Sequence, residues 1–274
     1  MNRNTLIDTM SDSTLLNAVI DIAREAGAAI MNVYAGDFTV DHKEDNSPLT
    51  QADQAAHRII TAALQKLTPG IPVLSEESPP EFHDFKTRQQ WSQFWLVDPL
   101  DGTREFINRN GEFTVNIALI RDHAPVLGVI GVPATNVIYS GARGMGAQRS
   151  AGAQATTTIR SRTSGIIPTV VGSRSHRGDS LNEFLTRLGT HELCSVGSAL
   201  KFCRVAEGSA DCYPRLSPTS EWDTAAGQAI VEAAGGAVFD ISGKVLSYNQ
   251  RDSLLNPQFI VVGNPQFAWR HLIG

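Results

Sequence analysis

Residues 97–106 read VDPLDGTREF and directly follow the apolar run Trp95-Leu96-Val97. The stretch places Asp98 and Asp101 three positions apart at the end of an apolar strand. Pro99 has no N–H to give to a sheet ladder, so the strand is expected to stop there, while Gly102 admits a ligand or a positive φ. Two readings of the aspartates are open. They can bond local amides in an Asx-type turn, or they can gather at a cation. Two ionised carboxylates about 4 Å apart repel by roughly 4 kcal/mol at an effective dielectric near ~20, so a cluster of them needs a cation or a raised pKa. Oxygen-only clusters favour Mg²⁺, Mn²⁺ or Ca²⁺.

Working outward, further acids stand at element ends. Glu76-Glu77 follows the strand at Val73-Leu74, and Glu76 joins the aspartates if that strand lies beside the one ending at Val97; a solvated pair is the alternative, preferred for Glu77. Asp53 sits three residues after Thr50, the spacing of a helix capping box. Asp223 opens a helical stretch, where an N-cap aspartate is equally at home. Gly197-Ser198 lies between a strand and a helix, so its free amides and the helix dipole are candidates for holding a phosphate. Lys201 and Arg215 offer point-charge and bidentate contacts to an anion, or are simply solvated charges.

The apolar periodicity predicts helices over 13–36 and from Thr50 to Leu67, then strands at 72–75, 94–97, 113–119, 126–132 and 136–139 in an antiparallel meander. Residues 141–164 turn to Gly, Ala, Ser, Thr and Arg, which reads as a hinge. Beyond it, strands at 169–172, 193–196, 210–213, 237–240 and 259–262 alternate with helices at 179–188, 198–207 and 223–234. The expected division is an α+β half over 1–150 and an α/β half over 151–274.

The formal charge of -5 over 274 residues argues against a groove for polymeric nucleic acid. The N-terminus lacks the apolar core of a signal peptide, and no window has the apolar length of a transmembrane helix, so a cytoplasmic protein is expected. Cys194, Cys203 and Cys212 form no CxxC pair and read as buried thiols. The seven histidines have no metal-ligand spacing, and no GxxxxGK[ST], GxSxG or HExxH motif occurs.

Taken in order, Ser75-Glu76-Glu77, then Trp95 through Thr103, then Glu221-Trp222-Asp223-Thr224-Ala225-Ala226-Gly227 resemble the inositol monophosphatase superfamily of Mg²⁺-dependent, lithium-sensitive phosphatases over nearly the whole chain. Three further segments resemble its bacterial CysQ-type 3'(2'),5'-bisphosphate nucleotidase branch. They are Asp45 to Thr50, Thr103-Arg104-Glu105-Phe106-Ile107 with Asn110-Gly111-Glu112 and the following residues to Asn116, and Tyr213-Pro214-Arg215. Arg104-Glu105-Phe106 departs from the Thr-Asn-Phe-like run of inositol phosphatases and favours the nucleotidase.

The resemblance implies an α/β, layered α-β-α-β-α sugar-phosphatase fold with the site between the halves. It implies that Glu76, Asp98, Asp101 and Asp223 bind metal through carboxylates and Leu100 through its carbonyl. Asp53 and Thr103 would activate the attacking water with help from Glu76, and Gly102 and Thr103 would cradle the scissile phosphate. Two or three Mg²⁺ ions are implied, with Mn²⁺ as substitute and Li⁺ and Ca²⁺ as inhibitors. The implied substrate is adenosine 3',5'-bisphosphate or its sulfated analogue; beyond the resemblance, Ser198, Lys201 and Arg215 are the residues expected to contact the second phosphate and nucleoside. A homodimer and peripheral contact with the inner membrane are compatible with it. An inositol or sugar monophosphatase is the near alternative, and a non-catalytic nucleotide or metal sensor the distant one; a sensor has no need of Asp53 and Thr103.

Overall fold

The computed structural model describes residues 11–42, 48–152, 154–163, 165–174 and 179–273. Asp45, Asn46 and Ser47 of the segment quoted above lie outside the described residues. Helix α1 (Asp12–Tyr34) begins at Ser11, whose hydroxyl accepts the Thr14 amide at 3.3 Å. Strands β1 (Val40–His42) and β2 (Pro48–Thr50) form a short antiparallel pair leading into α2 (Gln51–Leu67). The stripes Val19, Ala26, Ile30 and Ala56, Ile60, Leu64 are fully buried, as the helical spacing predicts.

These two helices cover one face of a seven-stranded sheet made of consecutive strands in sequence order. The strands are β3 (Val73–Ser75), β4 (Gln93–Asp101), β5 (Thr114–Arg121), β6 (Ala124–Val132), β7 (Val137–Ala142), β8 (Gly146–Ala151) and β9 (Thr157–Ile159). Only β3–β4 is parallel, and α3 (Pro80–His83) and α4 (Phe85–Arg88) make that crossover. The stretch 141–164 is therefore not an open hinge, because it holds β8 and β9. These outer strands are only partly buried, which is why they show no apolar alternation.

The chain continues through α5 (Thr103–Ile107, between β4 and β5) and, after β9, through β10 (Thr169–Ser173), α6 (Asp179–Leu188), β11 (Glu192–Val196), α7 (Leu200–Ala206), β12 (Cys212–Arg215), α8 (Ala225–Ala233), β13 (Ala237–Asp240) and β14 (Phe259–Val262). A five-stranded sheet runs β11-β10-β12-β14-β13. Alternate residues of β4 enter different cores: Trp95 and Val97 pack with α1 and α2, whereas Phe94 and Leu96 pack with α7, α8 and the second sheet. Leu181, Phe184 and Leu185 of α6 cover the outer face of that sheet. The layers are α-β-α-β-α, as the resemblance implies.

Helix α8 lies directly on the first sheet because residue 128 is glycine; a Cβ there would stand 2.4 Å from the Ala226 carbonyl oxygen. No helix among the described residues is long and apolar enough to cross a membrane. Cys203 and Cys212 are buried and Cys194 half-buried, all as free thiols.

Candidate active site

The parallel pairing of β3 with β4 sets Ser75 opposite Val97, and the Glu76 amide donates to the Val97 carbonyl at 3.0 Å. This brings Glu76 to the strand end that carries Asp98. The expectation that β4 stops at Pro99 is corrected. Asp98 pairs with Asn116 and Asp101 with Thr114, with a register shift between them. Pro99 and Leu100 occupy this bulge, where no ladder N–H is required of the proline. The bulge turns both carboxylates toward one place.

One carboxylate oxygen from each of Asp98, Asp101 and Asp223 lies within 4.8 Å of the others. The Asx-type reading also holds for Asp98, whose Oδ1 accepts the Leu100 amide at 3.0 Å. Asp101 Oδ2 faces Asn116 Nδ2 at 3.3 Å and Thr114 Oγ1 at 3.5 Å. Burial, then the charges of Glu76, Asp101 and Asp223, push the Asp98 carboxyl well above the ordinary range. Burial and Asp223 push Asp101 up to about 7, against the opposing pull of Lys201 and Asn116. Hard oxygen donors that repel one another fit a divalent cation, whose charge would let all of them ionise.

Asp53 is held as the capping-box spacing predicts. Its Oδ2 accepts the Thr50 amide at 2.8 Å and the Thr50 hydroxyl at 2.6 Å. Its Oδ1 remains for Thr103, whose hydroxyl lies 3.5 Å away and 3.4 Å from the Leu100 carbonyl. Burial raises the Asp53 pKa, partly offset by the Thr50 donors. The capping-box carboxylate thus stands beside Thr103 as well. Gly102 has φ +90°, and a Cβ on it would meet Glu105, Glu112 and Ser198 atoms at 3.3 Å, so glycine is required at this turn.

Asp223 does not cap α8, contrary to expectation. It lies in a 3-10 turn, Thr224 takes the N-cap position, and Asp223 Oδ2 accepts the Thr219 hydroxyl at 2.5 Å and the Ser220 amide at 2.8 Å. The Gly197 amide is likewise not free, because it donates to Glu112 Oε2 at 2.8 Å. Helix α7 begins only at Leu200. Lys201 is no solvated charge: it is 7% exposed, and its ammonium donates to the Ser198 carbonyl at 2.6 Å and lies 5.6 Å from the Tyr213 ring centroid. Burial lowers its pKa, with Asp101 opposing that shift.

Glu76, Asp101, Gly102, Thr103, Ser198, Lys201, Arg215 and Asp223 line one cavity of about 260 Å³. Asp98 reaches it through the carboxylate cluster, and Asp53 and Leu100 through Thr103. Two of its lining residues carry unmet polar atoms: Ser198 Oγ and Arg215 Nε are buried without a partner. Sequence reasoning missed Thr219, Phe202 and Tyr213, which also line it. The Ser220-x-x-Asp223 capping pattern was the available signal for the segment that includes Thr219.

A layered fold with a carboxylate cluster at the broken end of β4 defines a family. The model of the inositol monophosphatase family matches residues 11–269, and the chain belongs to that family. It is 53% identical over 249 residues to the 3'(2'),5'-bisphosphate nucleotidase CysQ of Salmonella typhimurium, covering 90% of this chain and 99% of the relative. The crystal structure of CysQ from Bacteroides thetaiotaomicron is similar with a TM-score of 0.80 at 42% identity, covering 91% of this chain and 97% of that one. The Thermotoga maritima IMPase is similar with a TM-score of 0.77 at 25% identity, covering 94% and 96%.

Proposed function

We propose that this protein is a Mg²⁺-dependent 3'(2'),5'-bisphosphate nucleotidase that hydrolyses adenosine 3',5'-bisphosphate to AMP and phosphate, and treats 3'-phosphoadenylyl sulfate alike. The identity to nucleotidases over most of the chain supports this substrate class. The observation that carries it is a single cavity lined both by Asp101 and Asp223 of the carboxylate cluster and by Lys201, Arg215 and Ser198. That arrangement suits a ligand bearing two phosphates.

In this reading Glu76, Asp98, Asp101, Asp223 and the Leu100 carbonyl hold the metal, with Mn²⁺ as a substitute and Li⁺ and Ca²⁺ as inhibitors. When bound, the metal neutralises phosphate charge and lowers the pKa of water. The backbone of Gly102 and the hydroxyl of Thr103 seat the scissile phosphate. Thr103 donates its hydroxyl proton toward Asp53 and so presents its oxygen lone pairs to a water. The pair accepts the proton the water loses as the water oxygen bonds to phosphorus, the bond to the ribose 3' oxygen breaks, and that oxygen takes up a proton from solvent to leave as the 3' hydroxyl. Lys201, Arg215 and Ser198 hold the second phosphate, where the buried Ser198 Oγ and Arg215 Nε find partners. The unbridged cysteines agree with a cytoplasmic setting.

Chromatography of the products from adenosine 3',5'-bisphosphate tests the seating. Adenosine 5'-monophosphate with inorganic phosphate is expected, whereas adenosine 3'-monophosphate would reverse the assignment of the two ends of the cavity.

A further inference from the structure

Glu112 is not among the residues that line the cavity, but it is hydrogen-bonded to Arg174 and Gly197 beside it. The Arg174 guanidinium grips both carboxylate oxygens, Nε to Oε2 at 2.8 Å and Nη2 to Oε1 at 2.6 Å. The same Nη2 reaches the Ser195 carbonyl at 3.0 Å. Glu112 Oε2 also accepts the Gly197 amide at 2.8 Å. One carboxylate, placed just before β5, thus fastens the ends of β10 and β11 to the first sheet. Burial works against the charge on Glu112, but Arg174 and the Gly197 amide hold its pKa below the ordinary value.

The fastened segment is the one that carries the second-phosphate wall. Ser198 follows Gly197 with φ +46°, its Oγ buried and unpartnered, and its carbonyl holds the Lys201 ammonium at 2.6 Å. The fit is close. A Cβ on Gly197 would lie 2.7 Å from Glu105 Cγ and 3.0 Å from the Glu112 carbonyl, and one on Gly102 would lie 3.3 Å from both the Glu112 carbonyl and Ser198 Cβ. The Asp101-Gly102-Thr103 turn, the Glu112 backbone and the Gly197-Ser198 turn are therefore packed as one block.

We propose that Glu112, clamped by Arg174, is a positioning residue that sets the distance between the seat of the scissile phosphate and the Ser198–Lys201 wall, and so selects bisphosphates over monophosphates. The inference rests on the nucleotidase reading above. Without the Glu112 bond the Gly197-Ser198 turn is released, while Asp98, Asp101 and Thr103 keep their own contacts in β4 and to Asp53. A nucleotide with one phosphate at the scissile end needs only the second set. One with two phosphates needs both.

The test is steady-state hydrolysis by the full-length, Mg²⁺-loaded enzyme of adenosine 3',5'-bisphosphate and of adenosine 3'-monophosphate, for the parent, Glu112→Gln and Arg174→Met, with thermal melting run in parallel. Each variant is expected to raise KM for the bisphosphate about tenfold, the loss typical of a broken charge-assisted hydrogen bond, with kcat and both monophosphate constants within about twofold of the parent. Equal losses on both substrates, a fall in kcat alone, or no change in either variant would overturn the positioning role. Failure of the underlying reading has a different signature: the parent itself would show no preference for the bisphosphate.

Discussion

Asp53 and Asp223, from opposite halves of the chain, are aimed by the same local device. Each closes a Thr/Ser-x-x-Asp box and commits Oδ2 to one backbone amide and one hydroxyl, Thr50 in the first case and Ser220 with Thr219 in the second. The freed Oδ1 of Asp53 faces Thr103, and Asp223 joins the carboxylate cluster. Removing either hydroxyl should have separable effects. Thr219→Val is expected to weaken the apparent Mg²⁺ affinity about tenfold, as loss of a ligand-orienting partner does. Thr50→Val is expected to lower kcat and cost about 1 kcal/mol of stability at unchanged Mg²⁺ affinity. Mg²⁺ titrations of activity that give the same midpoint for Thr219→Val as for the parent would contradict this.

Asp101 lies among like charges, and its carboxyl is pushed up to about 7 by burial and Asp223. The folded protein therefore binds a proton there that the unfolded chain releases near its ordinary value of 3.8. Asp101's contribution to metal-free stability should accordingly fall as pH rises from about 4 to about 7 and level off above. Asp101→Asn is expected to remove turnover, keep the fold, and stabilise the metal-free protein at pH 8 by on the order of a few kcal/mol. Melting curves across this range in a chelator should show the variant's profile flatter than the parent's; parallel profiles would refute the assignment.

The same repulsion makes metal binding proton-linked. At pH near 6.5 the binding of Mg²⁺ should release about one proton, because a cation drives the Asp98–Asp101–Asp223 cluster to ionise. Calorimetry in two buffers of different ionisation enthalpy measures the release directly. Identical heats in both buffers would exclude it.

Arg215 donates from Nη2 to the Pro218 carbonyl at 2.7 Å while its buried Nε has no partner. Arg215→Ala is expected to raise KM for adenosine 3',5'-bisphosphate by at least about tenfold, with a much smaller effect on a simple phosphate monoester. Equal effects on the two substrates would remove Arg215 from recognition.

Gly128→Ala tests the layering. Its Cβ would meet the Ala226 carbonyl at 2.4 Å and Ala229 Cβ at 2.8 Å, and backbone cannot swing aside as a flexible side chain can. A loss of about 1–3 kcal/mol is expected from denaturant unfolding. Parent-like stability would mean that α8 sits farther from the first sheet.

The clustering of Asp98 and Asp101 was legible in VDPLDGTREF because strand, charge and glycine are all local signals. Most elements of the second half were equally legible, with α6, β13 and β14 falling on the residues the periodicity names. What escaped depends on partners distant in sequence. Pro99 stays within β4 only because β5 supplies a register that tolerates a bulge. The Gly197 amide is taken by Glu112, 85 residues away. Lys201 is buried because the two sheets close over α7; the apolar Leu200, Phe202 and Cys203 around it were the local signal of a buried helix that a lone charge obscures.

The central claim is tested most directly by phosphate release from adenosine 3',5'-bisphosphate and from inositol 1-phosphate, measured side by side over a Mg²⁺ titration with and without Li⁺. The expected result is a kcat/KM at least about a hundredfold higher for the bisphosphate, absent in a chelator and suppressed by Li⁺. Equal or faster turnover of inositol 1-phosphate, or undiminished hydrolysis in the chelator, would contradict it.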